Sequence, residues 1–251
     1  MGNLRIRPIQ VGTLSGDKSA LTYMRNYGVR YDQPALIWYI DGAEKKILVD
    51  TGPCDPEWSA KYHWPMTRTP EQEPATALKL AGIDPESIEI VILSHLHWDH
   101  AFNNHLFPNA EFIVQEAELR YAICPLPVHA NGYEAVTIGM RPDYYTHTKY
   151  TVINGDQQIV PGVSVILTPG HSPGSQCVVV ETKKGNYVIA SDTVPLFENW
   201  EGTGHIKHLP STIHVGLVEY FESLEKIEKV ADFVLPGHDM KVIEHQWYPE
   251  D

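Results

Sequence analysis

The sequence predicts an α/β fold in which two β-sheets pack face to face and helices cover the outside. Three observations carry that expectation. Groups of β-rich runs are followed by helical segments twice along the chain. Ile88–Leu93 is a continuous apolar run, the pattern of a strand buried on both faces. Residues able to bind metal stand just past several such runs, where sites in α/β sheets generally lie.

Leu4–Val11, Ala35–Ile40 and Lys46–Val49 read as strands, with Asp41-Gly42 as the turn between the last two. Glu71–Ala81 reads as a helix with Ala75, Leu78 and Leu80 apolar, and Gly82 suits its C-terminal cap. The Ile88–Leu93 strand leads into the histidine-rich Ser94–His100. Glu111–Val114 then reads as a strand and Gln115–Ala122 as a helix. Val163–Thr168, Cys177–Glu181 and Tyr187–Ala190 read as strands, the last two joined through Lys184-Gly185-Asn186. Val215–Val230 is amphipathic, with Leu217, Phe221, Leu224 and Ile227 at helical spacing. Asp232–Leu235 is a short final strand. Ile123–Lys149 has no clear period and suits a lid or binding loop. Its aromatic and imidazole groups, His129, Tyr133, Tyr144, Tyr145, His147 and the adjoining Tyr150, suit packing.

The 251 residues are read as one domain, 1–251. The formal net charge of −13 opposes a nucleic-acid partner, and Lys45-Lys46 and Lys183-Lys184 read as solvated hairpin tips. Cys54, Cys124 and Cys177 are too widely spaced for a disulfide framework or a CxxC site, which points to a reducing compartment. The N-terminal MGNLRIRPIQ has no apolar signal core and no run reaches a membrane span, so a cytoplasmic protein with no membrane partner is expected.

Ser94-His95-Leu96-His97-Trp98-Asp99-His100 carries the chemistry. Imidazole is the commonest side-chain zinc ligand, and carboxylate can complete or bridge a site. On a strand end His95 and His97 point the same way because side chains alternate. A helix following them would swing Asp99 and His100 back towards them. One loop can then start two sites, with His95 and His97 on one metal and Asp99 and His100 on the other. Further ligands must come from elsewhere, and His171, Asp192 and His238 each follow an apolar strand. Asp192 can bridge. The expected cofactor is a pair of Zn2+ ions, with Fe, Mn or Co as other divalent occupants. Ser172 and Ser175 lack a GxSxG elbow, so turn-capping fits them better than a nucleophilic role.

HxHxDH, then Thr168-Pro169-Gly170-His171-Ser172-Pro173-Gly174-Ser175, Ser191-Asp192 and Pro236-Gly237-His238-Asp239 resemble the metallo-β-lactamase superfamily. The resemblance runs from Ile47-Leu48-Val49-Asp50-Thr51-Gly52 to His238. Phe107-Pro108-Asn109-Ala110, Val114-Gln115-Glu116-Ala117-Glu118 and Leu235–Met240 make it most similar to the N-acyl-homoserine lactonase branch. It implies a four-layer αββα sandwich and a metal-dependent hydrolase acting on a small-molecule lactone or ester. The family includes dimers, and an apolar N-terminal arm would suit a homodimer. The lactonases place a tyrosine three residues after the bridging aspartate to hydrogen-bond the substrate carbonyl. Here Pro195 stands there and has no donor. Tyr144, Tyr145 and His208 are the candidate replacements.

Two metals about 3.5–4 Å apart can share a hydroxide that attacks a carbonyl, with Asp99 orienting it and carrying a proton to the leaving group. Loops leaving the strand ends should form the pocket, which puts Ile123–Tyr150 and the stretch with Phe197, Trp200 and His205 over the metals. Apolar walls would suit small neutral lactones or esters. Two alternatives remain at this point. A thioester hydrolase of the glyoxalase II type uses similar ligands, but continues into a helical glutathione-binding domain that has no counterpart after His238. A mononuclear iron dioxygenase of the same superfamily is the other.

Overall fold

The computed structural model describes residues 4–146 and 149–250. One sheet has seven strands, β1 (Arg5–Asp17), β2 (Arg30–Asp41), β3 (Ile47–Val49), β4 (Met66–Thr67), β5 (Ile90–Ile92), β6 (Glu111–Gln115) and β7 (Tyr150–Ile153), in the order β4-β1-β2-β3-β5-β6-β7. The other has five, β8 (Gln157–Val160), β9 (Val163–Leu167), β10 (Gln176–Thr182), β11 (Gly185–Ser191) and β12 (Phe233–Pro236), in the order β12-β11-β10-β9-β8. The helices are α1 (Pro56–Tyr62), α2 (Pro74–Leu80), α3 (Glu116–Ile123), α4 (Asp143–Thr146), α5 (Phe197–Glu201) and α6 (Leu217–Val230).

Strand alternation explains the layering. Ile47 and Val49 of β3, Ile90 and Ile92 of β5, and Val178 and Val180 of β10 enter one core between the sheets. Their neighbours Leu48 and Val91 face outward, into a second core with Ala77 and Leu78 of α2 and Ala122 of α3. Cys177 and Val179 face a third, completed by Tyr220, Leu224 and Ile227 of α6. Both faces of each sheet are therefore apolar, which forces a helix–sheet–sheet–helix sandwich. This is the four-layer αββα arrangement that the resemblance implies.

Several elements differ from expectation for local reasons. Glu71–Ala81 is interrupted by Pro74: a 3-10 turn covers Pro70–Gln72, and α2 restarts with Pro74 in its first turn, where no amide is needed. Gly82 does close α2, at φ +79°, with its N–H donating to Lys79 O and the Ile83 N–H to Leu78 O. On α6 the buried stripe is Tyr220, Ser223, Leu224 and Ile227, while Phe221 is exposed. Tyr220 and Ser223 can be buried because their hydroxyls donate to Asp192 O and Pro169 O. The strands β4, β7 and β8 and the helices α1 and α5 had no periodicity long enough to show. The apolar N-terminal run proposed as a dimer arm lies inside β1, paired along β2, with Ile6 and Val11 buried within the chain. In the irregular segment Tyr133 and Tyr144 pack into the outer core, and His147 lies outside the described residues. Cys54 and Cys177 are buried and Cys124 exposed, all as free thiols. Among the described residues no helix is long and apolar enough to cross a membrane.

Candidate active site

The parallel strands β3 and β5 end together, and the chain leaving β5 is clamped at alternate amides. Asp50 accepts from the Ser94 N–H at 2.7 Å, and Glu118 of α3 accepts from the Leu96 N–H at 2.9 Å. Ser94 and Leu96 are thereby held to the protein body, and His95 and His97 turn to the opposite side. The chain then makes a single turn rather than a helix, with the His100 and Ala101 N–H groups donating to His97 O. That turn is enough to bring Asp99 and His100 round. The loop after β9 delivers His171, the end of β11 delivers Asp192, and the end of β12 delivers His238. Gly174 in the His171 loop must be glycine because a Cβ there would lie 2.2 Å from the Glu118 backbone nitrogen.

All seven expected ligands converge. His95, His97 and His171 form one group and Asp99, His100 and His238 another, with Asp192 grouped with His95 and His100 between them. His95 Nε2, His97 Nδ1 and His171 Nε2 lie 3.0 to 3.2 Å from one another. One oxygen of Asp192 is 2.9 Å from His238 Nε2 and 3.1 Å from His100 Nε2. Its other oxygen is 3.4 Å from His171 Nε2. Asp192 thus faces both groups at once, as a bridging carboxylate must. Asp99 Oδ2 lies 3.6 and 3.8 Å from His100 and His238 Nε2.

The opposite ring nitrogens fix the tautomers. His171 Nδ1 donates to Ile213 O, His238 Nδ1 to Pro34 O, and His100 Nδ1 to Asp50 Oδ2 at 2.8 Å. His95 Nδ1 lies 3.1 Å from Ser94 Oγ, which donates to Asp50. Asp50 and the neighbouring Ser191 both hold left-handed backbone, φ +60° and +45°, the kind of strained geometry that clusters at functional sites. Burial pushes the His95 and His97 pKa values well down, and the neighbouring imidazoles add to it. For His100 burial opposes the charged form, but Asp192, Asp99 and Asp50 outweigh it and raise its pKa well above the usual value.

This donor set fits metal. With Nδ1 protonated, the Nε2 atoms of His95 and His171 carry lone pairs that face each other and His97 across 3.0 to 3.2 Å. Three ligands on a tetrahedral zinc at about 2.05 Å would be roughly 3.3 Å apart. His100 Nε2 is buried and makes no hydrogen bond, although Asp192 is close. Asp192, Asp99 and Asp50 draw positive charge to this ring, and a divalent cation can take the place of its Nε2 proton there.

Over the cluster lies a cavity of ≈ 290 Å³. Its walls include Leu14, Leu21, Trp64, Trp98, Val128 and Ile213, and Gln33, Asn131, His63 and His129 are polar members beside the expected metal ligands His97, Asp99, His171, Asp192 and His238. His63 pins Trp98 by stacking at 4.2 Å and is itself paired with Glu134 at 2.8 Å. Of the irregular segment, Val128–Gly132 contributes a wall.

None of Tyr144, Tyr145, Phe197, Trp200, His205 and His208 lines this cavity, which corrects the expected pocket. Tyr144 is buried in the outer core, its hydroxyl donating to Tyr133 O. Tyr145 is half exposed. Phe197 packs on the inter-sheet core. Trp200 stacks on His208, whose ring nitrogens face Trp200 O and Glu228, and His205 lies with it in a separate cleft beside α6. None of the proposed tyrosine replacements is therefore at hand. Pro195 itself accepts the His238 N–H at 2.8 Å, placing that ligand from the backbone. His63, Gln33 and Ile213 escaped sequence reading because they come from distant segments without a motif. The one available signal was Gln33, a polar residue opening the apolar run Pro34–Trp38.

The sequence model of the Metallo-beta-lactamase superfamily matches residues 30–238. An N-acyl homoserine lactonase of Bacillus cereus is 30% identical over 248 residues, covering 93% of this chain and 92% of that one. The N-acyl homoserine lactonase AiiA of Bacillus thuringiensis subsp. kurstaki is 29% identical over 243 residues, covering 93% and 92%. A solved N-acyl homoserine lactone hydrolase, with the product N-hexanoyl-L-homoserine bound at its catalytic metal center, superposes with a TM-score of 0.80 at 25% identity, covering 100% of this chain and 99% of that one.

Proposed function

The chain belongs to the metallo-beta-lactamase superfamily, and from that premise we propose that it is a binuclear metal hydrolase that opens lactones or cleaves small carboxylic esters, with N-acyl homoserine lactones the first substrates to try. The placement of Asp192 between two groups of ligands carries this reading. His95, His97 and His171 would hold one metal, Asp99, His100 and His238 the other, and Asp192 both. Two divalent ions there, zinc by ligand type, supply Lewis acidity that makes water nucleophilic near neutral pH and polarises an ester carbonyl.

The chain's own groups do the rest. The Asp99 carboxylate, on the cavity wall, orients the attacking water and takes its proton. As the acyl C–O bond breaks, Asp99 returns that proton to the leaving alkoxide, and a lactone ends as a hydroxy acid. Ser172 is not needed as a nucleophile: its hydroxyl donates to Glu118 at 2.6 Å. Leu14, Leu21, Trp64, Trp98, Val128 and Ile213 give the cavity apolar walls that suit an acyl chain.

A screen of lactones, aryl esters, thioesters and phosphoesters on the metal-loaded protein tests this. Lactones should be cleaved with the highest kcat/KM. A thioester or a charged phosphoester as the best substrate would contradict the reading.

A further inference from the structure

Gln33 is 3% exposed, and its Oε1 is buried without a hydrogen-bond partner. It lies on the cavity wall with Asp99, His171 and His238. Its position is fixed: it pairs across the strands with Leu14, another wall residue, and the next residue, Pro34, accepts from the His238 ring. Every other residue of Pro34–Trp38 is buried and apolar. A buried carboxamide oxygen without a partner in such a place is destabilising, and no hydrogen bond of the fold uses it.

We propose that Gln33 is a substrate-binding, specificity-determining residue whose carboxamide pairs with an amide of the substrate, so that the site selects lactones bearing an acylamino group over lactones without one. This rests on the lactonase reading above. A carboxamide offers both an acceptor and a donor, the complement of a secondary amide. A substrate lacking that amide leaves Gln33 unpaired, and sites built around a buried polar group discriminate on that basis. Gln33 gives the cavity a polar contact for substrate in a chain where Pro195 replaces the lactonase tyrosine.

The test compares the metal-loaded wild type with Gln33→Leu on N-hexanoyl-homoserine lactone and on γ-decalactone, which has the same ring size and an apolar tail but no amide. Wild type should prefer the first. Gln33→Leu should lose at least tenfold in kcat/KM on it, mostly through KM, and stay within about twofold of wild type on γ-decalactone. Its metal content should be unchanged and its Tm equal or higher, because a buried unpaired group is gone. An equal loss on both substrates, no loss on either, or a lower Tm would overturn the role of Gln33 while leaving the lactonase reading intact. A wild type that cleaves neither lactone would overturn both.

Discussion

Asp99→Asn should lower kcat by about 100-fold or more while KM changes by only a few-fold, measured with metal at saturating concentration. Asparagine keeps the size of the side chain and one oxygen able to face His100 and His238, which Asp99 approaches at 3.6 and 3.8 Å. It loses the ability to accept a proton from water and hand it to an alkoxide. That transfer occurs only on the way through the transition state, so the loss falls on turnover. Metal analysis of the variant separates this from simple loss of a ligand. Near-normal turnover with both metals bound would show that Asp99 carries no proton.

Glu118→Gln should lower Tm by roughly 5–10 °C, at about 2–4 °C per kcal/mol for a chain of this size. Glu118 is fully buried, and each of its oxygens accepts one backbone N–H and one hydroxyl. Oε1 takes Leu96 N–H and Tyr133 O–H, and Oε2 takes Gly174 N–H and Ser172 O–H. Burial raises its pKa, and those four donors pull it back toward the ionised form. A glutamine can be turned either way, but its NH2 then faces a backbone N–H that cannot rotate. Each orphaned buried donor costs about 1–3 kcal/mol. The clamp joins the His95–His97 loop to the His171 loop, so metal should also dissociate faster from the variant. A Tm equal to that of wild type would show that the four bonds contribute little.

The parts of this protein that were legible in the sequence are those where chemistry restricts residue type. Metal binding admits few side chains, so His95, His97, Asp99 and His100 stand out, and His171, Asp192 and His238 are marked by their place after apolar strands. The layers were legible because Ile90-Val91-Ile92 and its counterparts are apolar on both faces. The cavity walls were not, because wall and core residues look alike in sequence. Tyr144 and His208 are aromatic and polar-tipped, yet their polar atoms are engaged by Tyr133 O and by Trp200 O. The walls come instead from Leu14, His63 and Ile213, brought together only by the sheet order β4-β1-β2 and the loop before α6. Glu118 was hidden for a related reason: a glutamate on a helix normally faces water, and only the fold shows that this one is buried under two loops.

Elemental analysis of the purified protein, prepared without chelators, decides whether the site holds two metal ions. The proposed centre, seven converging ligands with Asp192 between two groups, predicts two divalent metal ions per chain, predominantly zinc, and alanine in place of His97 should lose metal and activity together. One iron per chain with no second metal would contradict both the binuclear centre and the hydrolytic chemistry assigned to it.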